Sequence, residues 1–421
     1  MWTERFNLTD LREIDASIRN IMNQQKAKYK LQVNSSLYLP RSKGGRGLKQ
    51  VENIYKRTRI KAAIKLLIDK DPEITIVKKF DEVRMQNGRS SIIKDAIKYA
   101  REDFQAEFIT MENNFIFSYG NGEQRESTSD IKQVTTLLKK ITILNLEDEM
   151  NKTTWQGQIM KIRNEDPLLI RNNYYLWNTK WKDCPVELIN DIHSMMLQIV
   201  PTLTFETYRS KRHVGNTLCR LCHKSVESLQ HLLNSCEYFL SSLYIKRHNK
   251  ILQYIYFHIL VKYGLIKKCP PWYTNEKVKP HYENDKIILL WDIPEYLGYN
   301  DEEDDKMLRP DGKIILKEHS KIQILEMSVP WITNREKKLE EKMLKYRNLI
   351  ISMKTLYPNY HIEQDTFIVD SLGGYSKSMV DALKKLNFND DECVRILLNI
   401  QKIVLNESRY IINRFKQITR D

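Results

Sequence analysis

Apolar residues recur three and four positions apart through LTDLREIDASIRNIM, at Leu11, Ile14, Ile18, Ile21 and Met22. This spacing predicts one amphipathic helix with Thr9 or Asp10 as its N-cap. The stretch LYLPRSKGGRGLKQVENIYKRTRIKAAIKLLIDKDP then reads as a glycine-punctuated loop feeding a helix that stops before Pro72. From Glu73 to about Val200 the pattern predicts helices joined by polar connectors, among them RSSIIKDAIKYAREDFQAEF and the loop SYGNGEQRESTSD. Trp155, Trp177 and Trp181 fall there as packing residues rather than stacking platforms. The run ILQYIYFHILV from Ile251 carries Gln253 and His258 and is too short for a bilayer, which needs about 20 apolar residues. After Leu308 the period shortens to two. KIILKEH and KIQILEMSV follow an Asp-Gly turn and predict a hairpin, and a strongly charged helix begins after Thr333 or Asn334.

A length of 421 residues allows two or three domains. With 41% hydrophobic residues the chain folds, and its net charge of +14 draws it to polyanions, nucleic acid first. The excess is uneven: ten Lys or Arg face two acids between Arg41 and Lys70. Tyr55 and the Gly44, Gly45 and Gly47 loop make Lys56, Arg57 and Arg59 candidates for nucleic-acid backbone contacts, against the plainer reading of a solvated helix face. That helix lacks the bulky apolar face of a membrane-surface anchor, so no membrane partner is expected. The opening MWTERFNLTD has no apolar core segment or small-residue cleavage site, so the chain reads as intracellular, and a nucleic-acid partner points to the nucleus. The acidic run Asp301 to Asp305 reads as a solvated loop, because adjacent acids cannot all converge on one ion.

The strongest local signal is LCRLCHKSVESLQHLLNSCEYF, which spaces Cys219, Cys222, His231 and Cys236 as C-x2-C-x8-H-x4-C. A Cys-x2-Cys turn sets two thiolates on one side of a tight loop, and a helix from near Ser228 can present the other two ligands. Four ligands without a vacancy predict a structural zinc ion, with His223 and His213 as spare ligands. The alternative, buried thiols beside a capped histidine, fits this spacing less well. Arg209, Lys211 and Arg212 just upstream would form a basic arm for phosphate.

In RPDGKIILKEHSKIQILEMSVPW the hairpin would bring Asp311 and Glu326 to neighbouring positions, and Glu326 interrupts an otherwise apolar strand. A carboxylate pair holding Mg²⁺ would remove that burial cost. Lys338, Lys342 and Lys345 lie on one stripe of the following helix, where a lysine could orient the attacking water. Taken alone, two acids and a lysine read first as an ordinary hairpin with surface carboxylates.

The order PTLTFETYRSKRHVGNTLCRLCHKSVESLQHLLNSC, KRHN, RPDGKIILKEHSKIQILEMSVPW and EEKMLKYRNL resembles the C-terminal region of R-two-type non-LTR retrotransposon proteins, most strongly from about Pro201 to Gly374. The stretches DLREIDASIRNIM and SKGGRGLKQVENIYKRTRI look like the family's reverse-transcriptase thumb and the segment after it. The resemblance implies an α+β chain with a mainly helical N-terminal half, a small CCHC zinc knuckle and a PD-(D/E)xK restriction-like α/β nuclease domain. It implies a thumb-like basic segment over 1–75, a helical linker over 76–200, the knuckle with its arm over 201–268, the nuclease over 269–390 and a C-terminal helix over 391–421. Carried over, the family's PD falls on Pro310-Asp311, its second metal carboxylate on Glu326 and its displaced lysine on Lys342, with Lys338 and Lys345 as alternatives. Ser328 occupies the usual strand position of that lysine. Arg247, His248 and Asn249 match an Arg-His-Asn element that contacts DNA or supports the active site, and FIVDSLGGYS matches a later strand and turn. The implied activity is Mg²⁺-dependent nicking of target DNA, with element RNA as a further partner. The rival is a catalytically silent RNA- or DNA-binding remnant. Glu stands where many members have Asp, and no aliphatic- or aromatic-x-Asp-Asp polymerase motif is present, so polymerisation is not expected of this stretch.

Overall fold

The computed structural model describes residues 4–111, 113–120, 125–166, 174–212, 215–297 and 306–419. The acidic run at Asp301, the spare ligand His213 and the middle of the SYGNGEQ loop lie outside them. The chain is α+β and divides into two compact units, Met1–Thr154 and Trp155–Asp421. The boundary expected at 75/76 falls within the helix Pro72–Gln86 of the first unit, and those at 200/201, 268/269 and 390/391 all fall inside the second.

The first unit runs α1 (Leu8–Gln24), α2 (Ser35–Tyr38), α3 (Val51–Ile68), α4 (Pro72–Gln86), α5 (Ile92–Phe104), β1 (Ala106–Thr110), β2 (Phe115–Tyr119), β3 (Glu126–Thr128) and α6 (Ile131–Lys152). Asn7, not Thr9 or Asp10, caps α1 by accepting from the Thr9 amide. Ile60, Ala63 and Ile64 of α3, Ala96 and Ala100 of α5, and Leu138 and Ile141 of α6 form its core. In a stretch expected to be mostly helices with polar connectors, β1, β2 and β3 make an antiparallel sheet. Phe115 and Phe117 alternate inward from it, a period-two signal only a few residues long.

The second unit contains α7 (Gln158–Glu165), α8 (Leu176–Lys180), α9 (Val186–Met196), α10 (Leu203–Phe205), α11 (Leu229–Asn234), α12 (Glu237–Phe239) and α13 (Ile245–Lys262). There follow β4 (His281–Glu283), β5 (Ile287–Trp291), β6 (Glu295–Leu297), β7 (Lys306–Leu308), β8 (Gly312–Leu316) and β9 (Lys321–Ser328). The chain closes with α14 (Arg335–Lys345), α15 (Arg347–Leu356), β10 (His361–Ile368), α16 (Lys377–Lys385) and α17 (Asp390–Ile418). Strands order β10-β9-β8-β5-β4, with β10 parallel to β9 and the other pairs antiparallel. Strand alternation sorts the two faces. Leu325 and Met327 of β9 join Ile314 and Phe367 in the core with α13, α16 and α17, while Ile322 and Ile324 pack with Tyr346, Leu349 and Met353. Glu326 lies in register with Ile322 and Ile324 on the second face. No described helix is long and apolar enough to cross a membrane.

His258 on α13 is wedged beside the rings of Tyr254 (4.7 Å) and Phe388 (6.4 Å), with its Nε2 buried and unbonded. Burial, helped by Arg395, lowers its pKa to about 4. An unfolded chain takes up this proton near pH 6.5, so stability is complete above that pH and falls as pH drops towards 4. The full loss is about 2 kcal/mol after allowing for partial exposure. Urea midpoints of wild type should therefore decline from pH 6.5 to 4.5 more steeply than those of His258→Gln. Equal slopes would contradict the assignment.

Candidate metal and carboxylate sites

Local structure assembles the Cys/His set. Ser228 accepts from the amide of His231 and starts α11, and the Cys219 and Val226 segments are tied by the Leu218–Val226 bridge and by the Cys219 amide donating to Ser225 O at 2.8 Å. The ligand atoms of Cys219, Cys222, His231 and Cys236 all lie within 4.8 Å of one another. Cys219 Sγ is 3.9 Å from Cys236 Sγ, and Cys222 Sγ is 3.3 Å from His231 Nε2. A disulfide needs about 2.05 Å. Sulfurs at about 2.3 Å from a tetrahedral zinc ion lie about 3.8 Å apart, so the set fits a metal such as zinc. His231 Nε2 is the ring nitrogen that faces Cys222, and Nδ1 lies 3.3 Å from Ser235 Oγ, to which it would donate with a metal on Nε2. Burial pushes the Cys236 thiol up to about 12, and a bound cation reverses that by favouring thiolate.

The knuckle is not a free-standing module. Cys219, Cys236, Leu229, Leu232 and Leu233 share a core with Ile192 and Met195 of α9 and with Ile411 and Phe415 of α17. Tyr244 binds it from behind, donating to Leu232 O (2.8 Å) and accepting from the Cys236 amide (3.1 Å).

At the β8–β9 end of the sheet the acids converge. The Asp311 amide donates to Glu326 Oε1 at 3.1 Å, and Lys342 Nζ on α14 donates to Glu326 Oε2 at 2.5 Å. Asp311 Oδ2 accepts from the Met327 amide (2.7 Å) and from His248 Nε2 (3.1 Å). Burial tends to raise the Asp311 carboxyl, but His248 and Lys342 together hold it below its usual value. For Glu326, which is fully buried, burial and the charge of Asp311 outweigh Lys342 and the carboxyl is raised. His248 loses some basicity to burial but gains more from Asp311, and its pKa is raised. Its Nδ1 meets Asn249 Oδ1 at 2.9 Å, so both ring nitrogens face acceptors.

Asp311, Lys342 and His248 border a cleft of about 690 Å³ whose walls also include Asn234, Leu240, Ile245, Ser328, Trp331 and Lys338, with Glu326 buried beneath Asp311 and Lys342. Among the three candidate lysines, Lys342 alone is bonded to Glu326. Lys338 bonds Glu341, and Lys345 bonds the Tyr346 hydroxyl at 2.8 Å. Gly312 must be glycine for packing, since a Cβ there would sit 1.4 Å from the Tyr256 hydroxyl, itself bonded to Leu290 O. Gly312→Ala should destabilise the unit by about 3 kcal/mol, read as a lower urea midpoint. An unchanged midpoint would show that Tyr256 can swing aside.

Several expected contact residues are placed differently. Lys56 and Arg59 do not face solvent: Lys56 bonds Glu52 at 2.7 Å and also Asp103, and Arg59 bonds Asp95 at 3.1 Å, all inside the first unit. They share the inward face of α3 with Ile60 and Ala63, so they neutralise buried carboxylates and cannot meet phosphate there. Tyr55 packs edge-on to Phe6 (5.8 Å) and Tyr99 (6.3 Å). Arg247 is buried at the cleft wall and donates to Leu233 O (2.8 Å) and Ser408 Oγ (3.1 Å), tying α13 to α11 and α17, so its guanidinium is engaged in holding the wall. Arg57, Arg209, Lys211 and Arg212 remain accessible, with Arg209 stacked 4.7 Å over Trp155.

The sequence reading missed one buried network. Asp370 accepts from Arg335 (2.9 Å) and from the Leu372 and Gly374 amides (2.9 and 3.0 Å), with Arg163 at 3.7 Å. It holds the FIVDSLGGYS turn against α14. A charged residue inside an apolar run was its visible signal, as it was for Glu326. No protein-family model matches this chain, and no curated protein sequence matches it.

Proposed function

We propose that the chain is a nucleic-acid-binding DNA endonuclease of the restriction-like PD-(D/E)xK class, part of an R-two-type non-LTR retrotransposon protein, which nicks target DNA with Mg²⁺. The observation that carries the reading is the meeting of Asp311, Glu326 and Lys342 at one strand end that opens into a cleft. The donor set suits a hard cation. Two carboxylates are held together although each disfavours the other's charge, and Asp311 Oδ1 has no hydrogen-bond partner among the described residues. Asp311 and Glu326 would hold the ion, which when bound neutralises charge on the phosphate and lowers the pKa of water.

The remaining roles belong to the protein. His248 and the Met327 amide fix Asp311 Oδ2, which orients the carboxylate and leaves Oδ1 towards the ligand. Lys342 favours ionised Glu326 and brings an ammonium to the place where water and phosphate must meet. The Cys/His metal site stiffens the cleft wall to which α11 contributes, and Lys211 and Arg212, exposed in the segment before the cysteines, offer phosphate contacts.

The test is conversion of supercoiled plasmid to nicked circles in Mg²⁺ or Mn²⁺, with Asp311→Ala as control. Nicking by wild type and not by the variant is expected. No nicking across a broad set of targets, or nicking by Asp311→Ala at the wild-type rate, would overturn it. Nucleic-acid binding that survives under those conditions would assign the silent binding role instead.

A further inference from the structure

We propose that the groove between α3 and α6 in the first unit is a binding site for the phosphodiester backbone of a nucleic acid, held by Arg57, Lys61 and Lys139. Adjacent residues of an α-helix point about 100° apart, so Arg57 faces this groove while Lys56 and Arg59 turn inward. Ile54, Thr58 and Lys61 of α3 and Thr135, Leu138 and Lys139 of α6 complete its lining.

Three observations point to an anion. First, no ion pair is found for Arg57, Lys61 or Lys139 among the described residues. Elsewhere in the unit Arg12 is paired with Glu52, Lys43 with Glu147 and Lys140 with Glu126. Second, Arg57 is half-buried with its Nε enclosed and unbonded, and burial alone lowers its pKa, with no carboxylate acting on it. A guanidinium held this way costs stability unless an external acceptor meets it. Third, the Thr58 and Thr135 hydroxyls donate to their own helix, to Ile54 O and Ile131 O at 2.8 Å each, so the groove's outward donors are cations.

Size narrows the ligand. The groove holds about 140 Å³, a few waters at roughly 30 Å³ each and well under the about 300 Å³ at which organic-ligand pockets begin. A phosphate group fits. Arg57 and Lys61 stand one helical turn apart, about 6 Å along the groove, which suits a polymer of phosphates rather than one ion. Contacts of this kind position the nucleic acid without reading its sequence.

The site stands apart from the nuclease reading, because binding is measured without turnover. The probe is a short fluorescein-labelled DNA duplex of random sequence, titrated with the full chain from about 50 to 200 mM salt without added divalent cation. The triple variant R57Q/K61Q/K139Q should lower the salt slope of log K by about 3 and weaken low-salt binding about tenfold or more. The control K98Q/R125Q/K140Q removes the same charge from exposed ion pairs, to Glu102, Glu107 and Glu126, and should change the slope by less than half as much. The triple variant should also keep or raise the melting temperature, since it orphans no carboxylate. An unchanged slope, an equal loss in the control, or a lower melting temperature with unchanged binding would overturn the proposal. Loss of binding to phosphatidylserine vesicles with DNA binding intact would overturn it in favour of a membrane surface.

Discussion

Stripping the metal, or replacing Cys236 with Ser, is expected to unfold most of the Trp155–Asp421 unit and not merely loosen a short loop. The reason is where the ligands sit. Cys219 and Cys236 are fully buried and belong to the same core as Leu232, Leu233, Ile192, Ile411 and Phe415. Arg247 couples α11 to α17, and Ser408, its partner there, donates to Ser371 O at 2.7 Å on the turn after β10. Structural zinc contributes about 10–16 kcal/mol of binding free energy at neutral pH. A domain's whole stability is about 5–15 kcal/mol, so a zinc ion held by these four ligands would rival every other contribution. Purified protein should contain one zinc per chain by elemental analysis. A strong chelator or Cys236→Ser should lower the melting temperature by tens of degrees and remove the near-ultraviolet signal of buried Trp177. Cys393→Ser, away from the cluster, should retain both. Metal-free preparations with an unshifted transition would contradict the assignment.

Exchanging the Glu326–Lys342 pair should separate chemistry from folding. Lys342→Met is expected to reduce nicking by about 10²–10³-fold, the usual cost of one preorganised charge at a reacting phosphate. Glu326→Gln should reduce it by at least as much, because a neutral amide holds a divalent cation poorly. Stability should move differently. Lys342→Met leaves a buried carboxylate without its 2.5 Å partner and should cost about 3 kcal/mol, whereas the double variant Glu326→Gln with Lys342→Met should recover much of that loss and stay inactive. Plasmid-nicking rates beside urea midpoints give both readings. If the double variant nicked at the wild-type rate, the pair would be structural and the site would lie elsewhere. If Lys342→Met were as stable as wild type, the ion pair would not matter to the fold.

The amino-acid sequence by itself determined what neighbouring residues can decide. The Cys219, Cys222, His231 and Cys236 spacing spans eighteen residues, and a tight turn followed by one short helix suffices to gather it, so little else in the chain can interfere. The β8–β9 hairpin, the start of α14 and the pairing of Asp311 with Glu326 were legible for the same reason, since strand alternation and a short turn leave few registers. Tertiary structure alone decided which face of a helix becomes interior. On α3, Lys56, Arg57 and Arg59 look alike in sequence. The carboxylates of Asp95 and Asp103, brought up by α5, draw in the first and third and leave the second to the groove with Lys139 of α6. His248 and Asp311 meet across 63 residues, and Arg247 beside it turns the other way into the core. Desolvating a charge requires a partner, and the partner's position is set by packing between elements far apart in the chain, which no local pattern encodes.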